Sequence, residues 1–126
     1  MNLETGDWMP GGSEMEQRQS DAEDMNRIIE SKLGARERLE TLAEEAAELS
    51  QAALKMIRAY KMGGVANPTP VTPNEALENL FEEVADVELA EEALGMYYLN
   101  RRRIEAIKEE KRSRWVKRLE GAEKNE

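Results

Sequence analysis

The sequence predicts an all-α protein, an antiparallel helical bundle whose core is completed by oligomerisation. Three observations carry this expectation. Ala35 to Met62 contains no Pro or Gly while apolar residues recur at spacings of three and four. Thr72-Pro73-Asn74-Glu75 has the form of a helix-starting capping box with Pro at the first helical position. No segment alternates apolar and polar residues as a half-buried strand would.

Met1 to Asp24 is rich in Gly, Ser, Gln and acids, with Trp8 and Met9 among its few large apolar residues. It offers too little to bury and is expected to be a mobile extension. Ile28, Ile29 and Leu33 lie close together and predict a short helix over Met25–Leu33. That helix should stop at Gly34, a residue tolerant of the left-handed C-cap. The first long helix follows, with Leu39, Leu42, Ala46, Leu49, Ala53 and Met56 on its apolar stripe, and ends at Gly63-Gly64. Asn67 to Pro73 holds three prolines and predicts a loop. The second long helix carries Leu77, Leu80, Phe81, Val84 and Val87 and closes near Gly95. Asn100 can cap a third, running through Ile104, Ile107, Trp115, Val116 and Leu119 to Gly121, with a frayed tail over 122–126.

At 126 residues, 36% of them charged and 5% aromatic, the chain has the material for one modest domain, expected over 25–121. No run approaches the roughly 20 apolar residues of a membrane span, and the first residues lack signal-peptide order. A soluble, cytoplasmic protein is the expectation. With no Cys and no His, thiolate sites, cysteine nucleophiles and the usual zinc ligand are excluded, so any chemistry must run on carboxylates, Lys, Arg and water. A net charge of −9 argues against a nucleic acid polymer as partner.

That charge is uneven: Asn74–Asn100 sums to −8 and Arg101–Glu126 to +4. Within the two long helices, Glu45 and Glu48, and Glu83 and Asp86, are spaced i, i+3, so each pair shares a helix face. Two such faces can present four carboxylates to one point, and these hard oxygens suit Mg²⁺ or Mn²⁺. Glu37/Glu40, Glu75/Glu78 and Glu88/Glu91 have the same spacing, which leaves solvated acidic faces as the competing reading. Glu44 and Glu82 stand beside the pairs and could orient or deprotonate a water. Lys55, Lys108, Lys111 and Arg114 could neutralise charge on phosphates or serve solubility alone. Tyr60, Tyr97, Tyr98 and Trp115 could stack on a base, though aromatics at helical spacing are more often core.

Leu42-Ala43-Glu44-Glu45-Ala46-Ala47-Glu48-Leu49, followed by Glu82-Glu83-Val84-Ala85-Asp86-Val87, resembles the EExxE and ExxD signature of the MazG-like all-α nucleoside triphosphate pyrophosphohydrolases. The resemblance runs from about Ile28 to Gly121. It includes Ala52-Ala53-Leu54-Lys55, the Asn67-Pro68-Thr69-Pro70 loop and Lys108-x-x-Lys111-x-x-Arg114-Trp115. It implies Mg²⁺-dependent hydrolysis of a (d)NTP at the α–β phosphoanhydride, giving a monophosphate and pyrophosphate. It also implies Glu45, Glu48, Glu83 and Asp86 as metal ligands and a homodimer or homotetramer. A protein of the same fold that sequesters a nucleotide without turnover is the alternative. This chain departs from the family pattern after the second motif, where Glu88 and Glu91 replace the usual apolar residues.

Overall fold

A computed structural model describes residues 12–64, 70–95 and 100–124. They form four helices: α1, Gly12–Lys32; α2, Ala35–Ala59; α3, Pro73–Glu92; and α4, Arg101–Lys124. No described residue lies in a strand. The chain divides into two compact units, Met1–Gly95 and Met96–Glu126, so α1 to α3 belong to the first and α4 to the second.

In the first unit, α2 and α3 run antiparallel. Arg38, in the first turn of α2, donates from Nη1 to the carbonyls of Ala93 and Leu94, just beyond the end of α3, at 3.2 and 2.9 Å. Arg38 and the four acids mark where the helices meet, and the positions in line with them recur at seven. In α2 these are Arg38, Glu45 and Ala52, beside Thr41, Glu48 and Lys55. In α3 they are Ala76 and Glu83 with Ala90, beside Asn79 and Asp86 with the following Ala93. A seven-residue repeat keeps one face of a helix turned to its partner. The fully buried residues of α2 and α3 all fall in these rows: Ala52, Ala76 and Ala90. Alanine at the ends of the seam lets the backbones close together, while its middle is acidic.

This seam is not the apolar stripe that the sequence suggests for the core. Leu39, Leu54, Ile57, Phe81 and Val84 are exposed, and Leu42, Leu49 and Met56 are only half-buried. The residues of α2 and α3 that are fully buried are small alanines, and no large side chain of either helix is.

Local chemistry explains the element boundaries. The capping box at α3 forms as expected: Glu75 N donates to Thr72 Oγ1 and Thr72 N to Glu75 Oε2, both at 3.1 Å. α2 ends at Ala59, before Gly63, because a Schellman motif closes it. Lys61, at φ 53, donates its N–H to Arg58 O, and Met62 donates to Ile57 O. Gly34 is not a left-handed C-cap; with φ −70 and ψ 169 it is the extended N-cap of α2. Gly95 does take the left-handed conformation, three residues after α3 ends at Glu92.

The first helix begins at Gly12, so 12–24, expected as an extension, continue it. Side-chain pairs within the helix support it there: Gln17 to Asp21 at 3.0 Å, and Arg27 to Asp24 and Glu23 at 2.8 and 3.7 Å. Residues 13–22 are all exposed, in keeping with their polar composition. The C-terminal half of α1 joins the rest through Asn26, which is 5% exposed and donates to Glu92 Oε1 at 3.2 Å.

In the second unit, α4 passes through Gly121 to Lys124 rather than closing there, since one interior Gly weakens a helix by about 1 kcal/mol without stopping it. Ile104, Trp115, Val116 and Leu119, expected as its core face, are exposed. Trp8, Met9, Asn67, Pro68, Thr69, Tyr97 and Tyr98 lie outside the described residues. Among the described residues no helix is long and apolar enough to cross a membrane.

Candidate metal centre

The middle of the α2–α3 seam brings Glu45, Glu48, Glu83 and Asp86 together. One carboxylate oxygen from each lies within 4.8 Å of the other three. The i, i+3 spacing puts each pair one turn apart on its helix, and the antiparallel pairing sets the two turns against each other. Glu45 and Glu83 are half-buried; Glu48 and Asp86 are exposed at the mouth.

Two oxygens here are unsatisfied. Glu45 Oε2 and Glu83 Oε2 are covered by surrounding atoms and have no hydrogen-bond partner. A covered carboxylate oxygen without a donor is costly, so some species must neutralise it. Without a metal, the cost shows as a stronger hold on the proton. Desolvation, followed by the like charges of Glu48 and Asp86, pushes both carboxyls above their ordinary value of 4.5, and the charge of Glu83 adds to the shift of Glu45. A divalent cation meets the same need. Four anionic oxygens, two of them with no competing donor, fit a hard ion such as Mg²⁺ or Mn²⁺.

Asn79 is the residue that sequence reasoning missed. Its Nδ2 donates to Glu83 Oε1 at 3.4 Å, which steadies the carboxylate and partly offsets the upward shift. Its position four before Glu83 on the same helix face is the signal that could have revealed it.

The other expected site residues fall differently. Glu44 and Glu82 are exposed and stand outside the four-acid cluster, since consecutive helix residues point about 100° apart. Lys55 is half-buried in the same row as Glu48, two turns further along α2, about 10.5 Å by helix rise. Lys108, Lys111 and Arg114 belong to the second unit, where they share an open concavity of about 710 Å³ with Trp115. Its lining among the described residues comes from α4 alone, so it is a basic helix surface rather than an enclosed site. Trp115 is 63% exposed and Tyr60 is exposed as well, so neither is a core aromatic within its own unit. Glu88 faces solvent and Glu91 is half-buried. Comparison with known proteins finds no matching family model, no similar curated protein and no similar solved structure.

Proposed function

We propose that the protein is a MazG-like nucleoside triphosphate pyrophosphohydrolase, acting with Mg²⁺ on a (d)NTP or related nucleotide at the α–β phosphoanhydride to release a monophosphate and pyrophosphate. The observation that carries the reading is the convergence of four carboxylate oxygens within 4.8 Å, two of whose residues hold a covered oxygen with no partner. A merely solvated acidic face would leave those oxygens in water.

On this reading Glu45, Glu48, Glu83 and Asp86 hold the ion, and Asn79 fixes the Glu83 carboxylate. A bound Mg²⁺ supplies charge neutralisation and polarises the phosphoryl oxygens. Glu44 and Glu82, each next in sequence to a ligand and exposed, are assigned to orient or deprotonate the attacking water. Lys55, along the seam from Glu48, is the cation of the first unit assigned to charge developing on the leaving pyrophosphate. Lys108, Lys111 and Arg114 are assigned to phosphate binding as well. The exposed apolar residues of α2 and α3 support a homodimer or homotetramer. The cytoplasm, where nucleotides and Mg²⁺ coexist, is the assigned place of action.

The test is incubation of the purified chain with a panel of (d)NTPs and Mg²⁺, with phosphate and pyrophosphate products resolved. Wild type should release pyrophosphate. Glu48→Gln and Asp86→Asn should lose turnover by a hundredfold or more, on the order of the effect of removing one transition-state stabilising group, with helical content intact. Nucleotide binding without turnover would replace the enzyme with a sequestering protein. Absence of both would end the nucleotide reading.

A further inference from the structure

In α4 the charges are sorted by face rather than mixed. At about 100° per residue, Arg103, Lys108, Lys111, Arg114 and Arg118 fall with Trp115 inside a sector of about 140°. The acids of the helix, Glu105, Glu109, Glu110, Glu120 and Glu123, all fall outside it. Lys108 pairs with Glu105 at 3.5 Å, but Arg103, Lys111, Arg114 and Arg118 have no carboxylate partner among the described residues. For Arg103, Lys111 and Arg118 the sequence offers none, since no acid stands three or four positions away. Residues 108–120 are all exposed, and Trp115, with Lys111 four before it and Arg118 three after, is 63% exposed.

We propose that this face binds a single strand of nucleic acid, with its cations on the phosphates and Trp115 stacked on a base. The proposal does not rest on the reading of the acid cluster. The net charge of −9 argues against such a partner only as an average, because at 0.1 M ionic strength a phosphate senses charges within about 10 Å. Arg101–Glu126 alone sums to +4, and the sector itself holds no acid. From Arg103 to Arg118 the helix rises about 22.5 Å, which at about 3.4 Å per stacked nucleotide is the length of about six.

The mixture of cations and indole selects this occupant. A duplex keeps its base faces inside the stack, where Trp115 cannot reach them, whereas a single strand offers one on every nucleotide. A lipid surface takes helices whose apolar and charged residues lie on opposite faces; here Trp115 and the unpaired cations share one. An acidic peptide matches the charge but gives the indole no regular planar partner. Lys108, Lys111 and Arg114, assigned above to substrate phosphates, meet the same chemical group in a strand. Arg103, Trp115 and Arg118 extend the surface from one nucleotide to several. The face reads phosphates and bases, so the sugar makes no difference.

The test is fluorescence anisotropy of labelled oligothymidylates with the full chain in EDTA, which keeps the acid cluster free of metal. Affinity should rise with length up to about six nucleotides and then level off. Four unpaired cations predict a slope of log K against log salt of about −2.8, a loss of about fiftyfold between 50 and 200 mM. Arg103→Gln combined with Arg118→Gln should halve that slope. Trp115→Ala should weaken binding about tenfold at unchanged slope, the worth of one stacked base. Both variants should keep wild-type circular dichroism. In a Trp8→Phe background, binding should quench the fluorescence of Trp115, and an oligouridylate of equal length should bind within a few-fold. Saturation by a single nucleotide would reduce the face to a substrate-phosphate subsite and overturn the proposal. So would no binding at 50 mM salt, binding unchanged in both variants, or tighter binding to a duplex of the same length. Binding to vesicles of phosphatidylcholine and phosphatidylserine in preference to the oligonucleotide would assign the face to a membrane instead.

Discussion

Neutralising Glu48 should change how the fold responds to both pH and Mg²⁺. In the folded, metal-free chain Glu45 and Glu83 keep their protons above the ordinary 4.5, chiefly through desolvation and next through the charge of Glu48. Above pH 4.5 the folded state therefore binds more protons than the unfolded chain, at most two, one for each carboxyl. More protons bound in the folded state means that stability falls as pH rises. The contribution of these two groups is most favourable below 4.5 and is lost as pH rises through their raised values. Four anions make six like-charge pairs, and Glu48→Gln removes three of them, including the leading charge neighbour of both shifted groups. The variant without metal should have a higher urea midpoint than wild type at pH 7 to 8, and the two midpoints should converge toward pH 4.5. Adding millimolar Mg²⁺ should reverse the order, since wild type keeps four ligands and gains more from mass action. Urea midpoints by circular dichroism at fixed ionic strength read all of this; at 0.15 M the screening length is about 8 Å, longer than the separations in the cluster. A wild-type midpoint that stays level or rises relative to the variant across that pH range would refute the argument. So would an equal Mg²⁺ response in both proteins.

Three further expectations follow from the packing. Arg38→Met removes a side chain that is 16% exposed and bonded to three carbonyls. At about 1 kcal/mol net per bond, the loss should reach roughly 2–3 kcal/mol and lower the melting temperature by about 10 °C, with Arg38→Lys failing to restore it; a drop within experimental error would show the bonds to be incidental. Exposed Leu54, Ile57, Phe81 and Val84 predict a dimer or tetramer by light scattering at micromolar concentration, and Phe81→Glu should shift the population toward monomer; a monomeric wild type would contradict the expectation. Deleting Met1–Glu23 should leave the melting temperature nearly unchanged, because residues 13–22 are exposed, and a large fall would reveal a docking role for that segment.

The acid quartet was legible in the sequence because helix geometry is nearly rigid: i, i+3 carboxylates in two Pro-free helices must each share a face. The capping box at Thr72 was legible for the same reason, since its two bonds are local. The packing face of α2 was not. Hydrophobic periodicity points to Leu39, Leu42, Ala46 and Leu49, whereas Arg38, Glu45 and Glu48 are the residues that meet α3 or its end, and Ala52 is the one fully buried. Periodicity marks the surface that leaves water, and that surface need not be covered by the same chain. Ending α2 at Ala59, with Lys61 rather than Gly63 as the left-handed residue, was equally hidden, because a left-handed Lys is uncommon and only the closing bonds reveal it. Asn79 carries no charge, so a search for ligating groups passes over it.

The seven-residue repeat in both helices has a consequence for alignment. Because each row repeats, α2 could slide past α3 by one heptad and still set small residues against the seam, with Glu45 moved away from Glu83 and opposite alanine. In the metal-free chain such a slip would even relieve repulsion. The acids cannot choose their own register; they disfavour it. The choice falls to Arg38, whose hold on the carbonyls of Ala93 and Leu94 exists at one offset only. The spacing of the four ligands is thus set about two helical turns away from them, by a residue that ligates nothing.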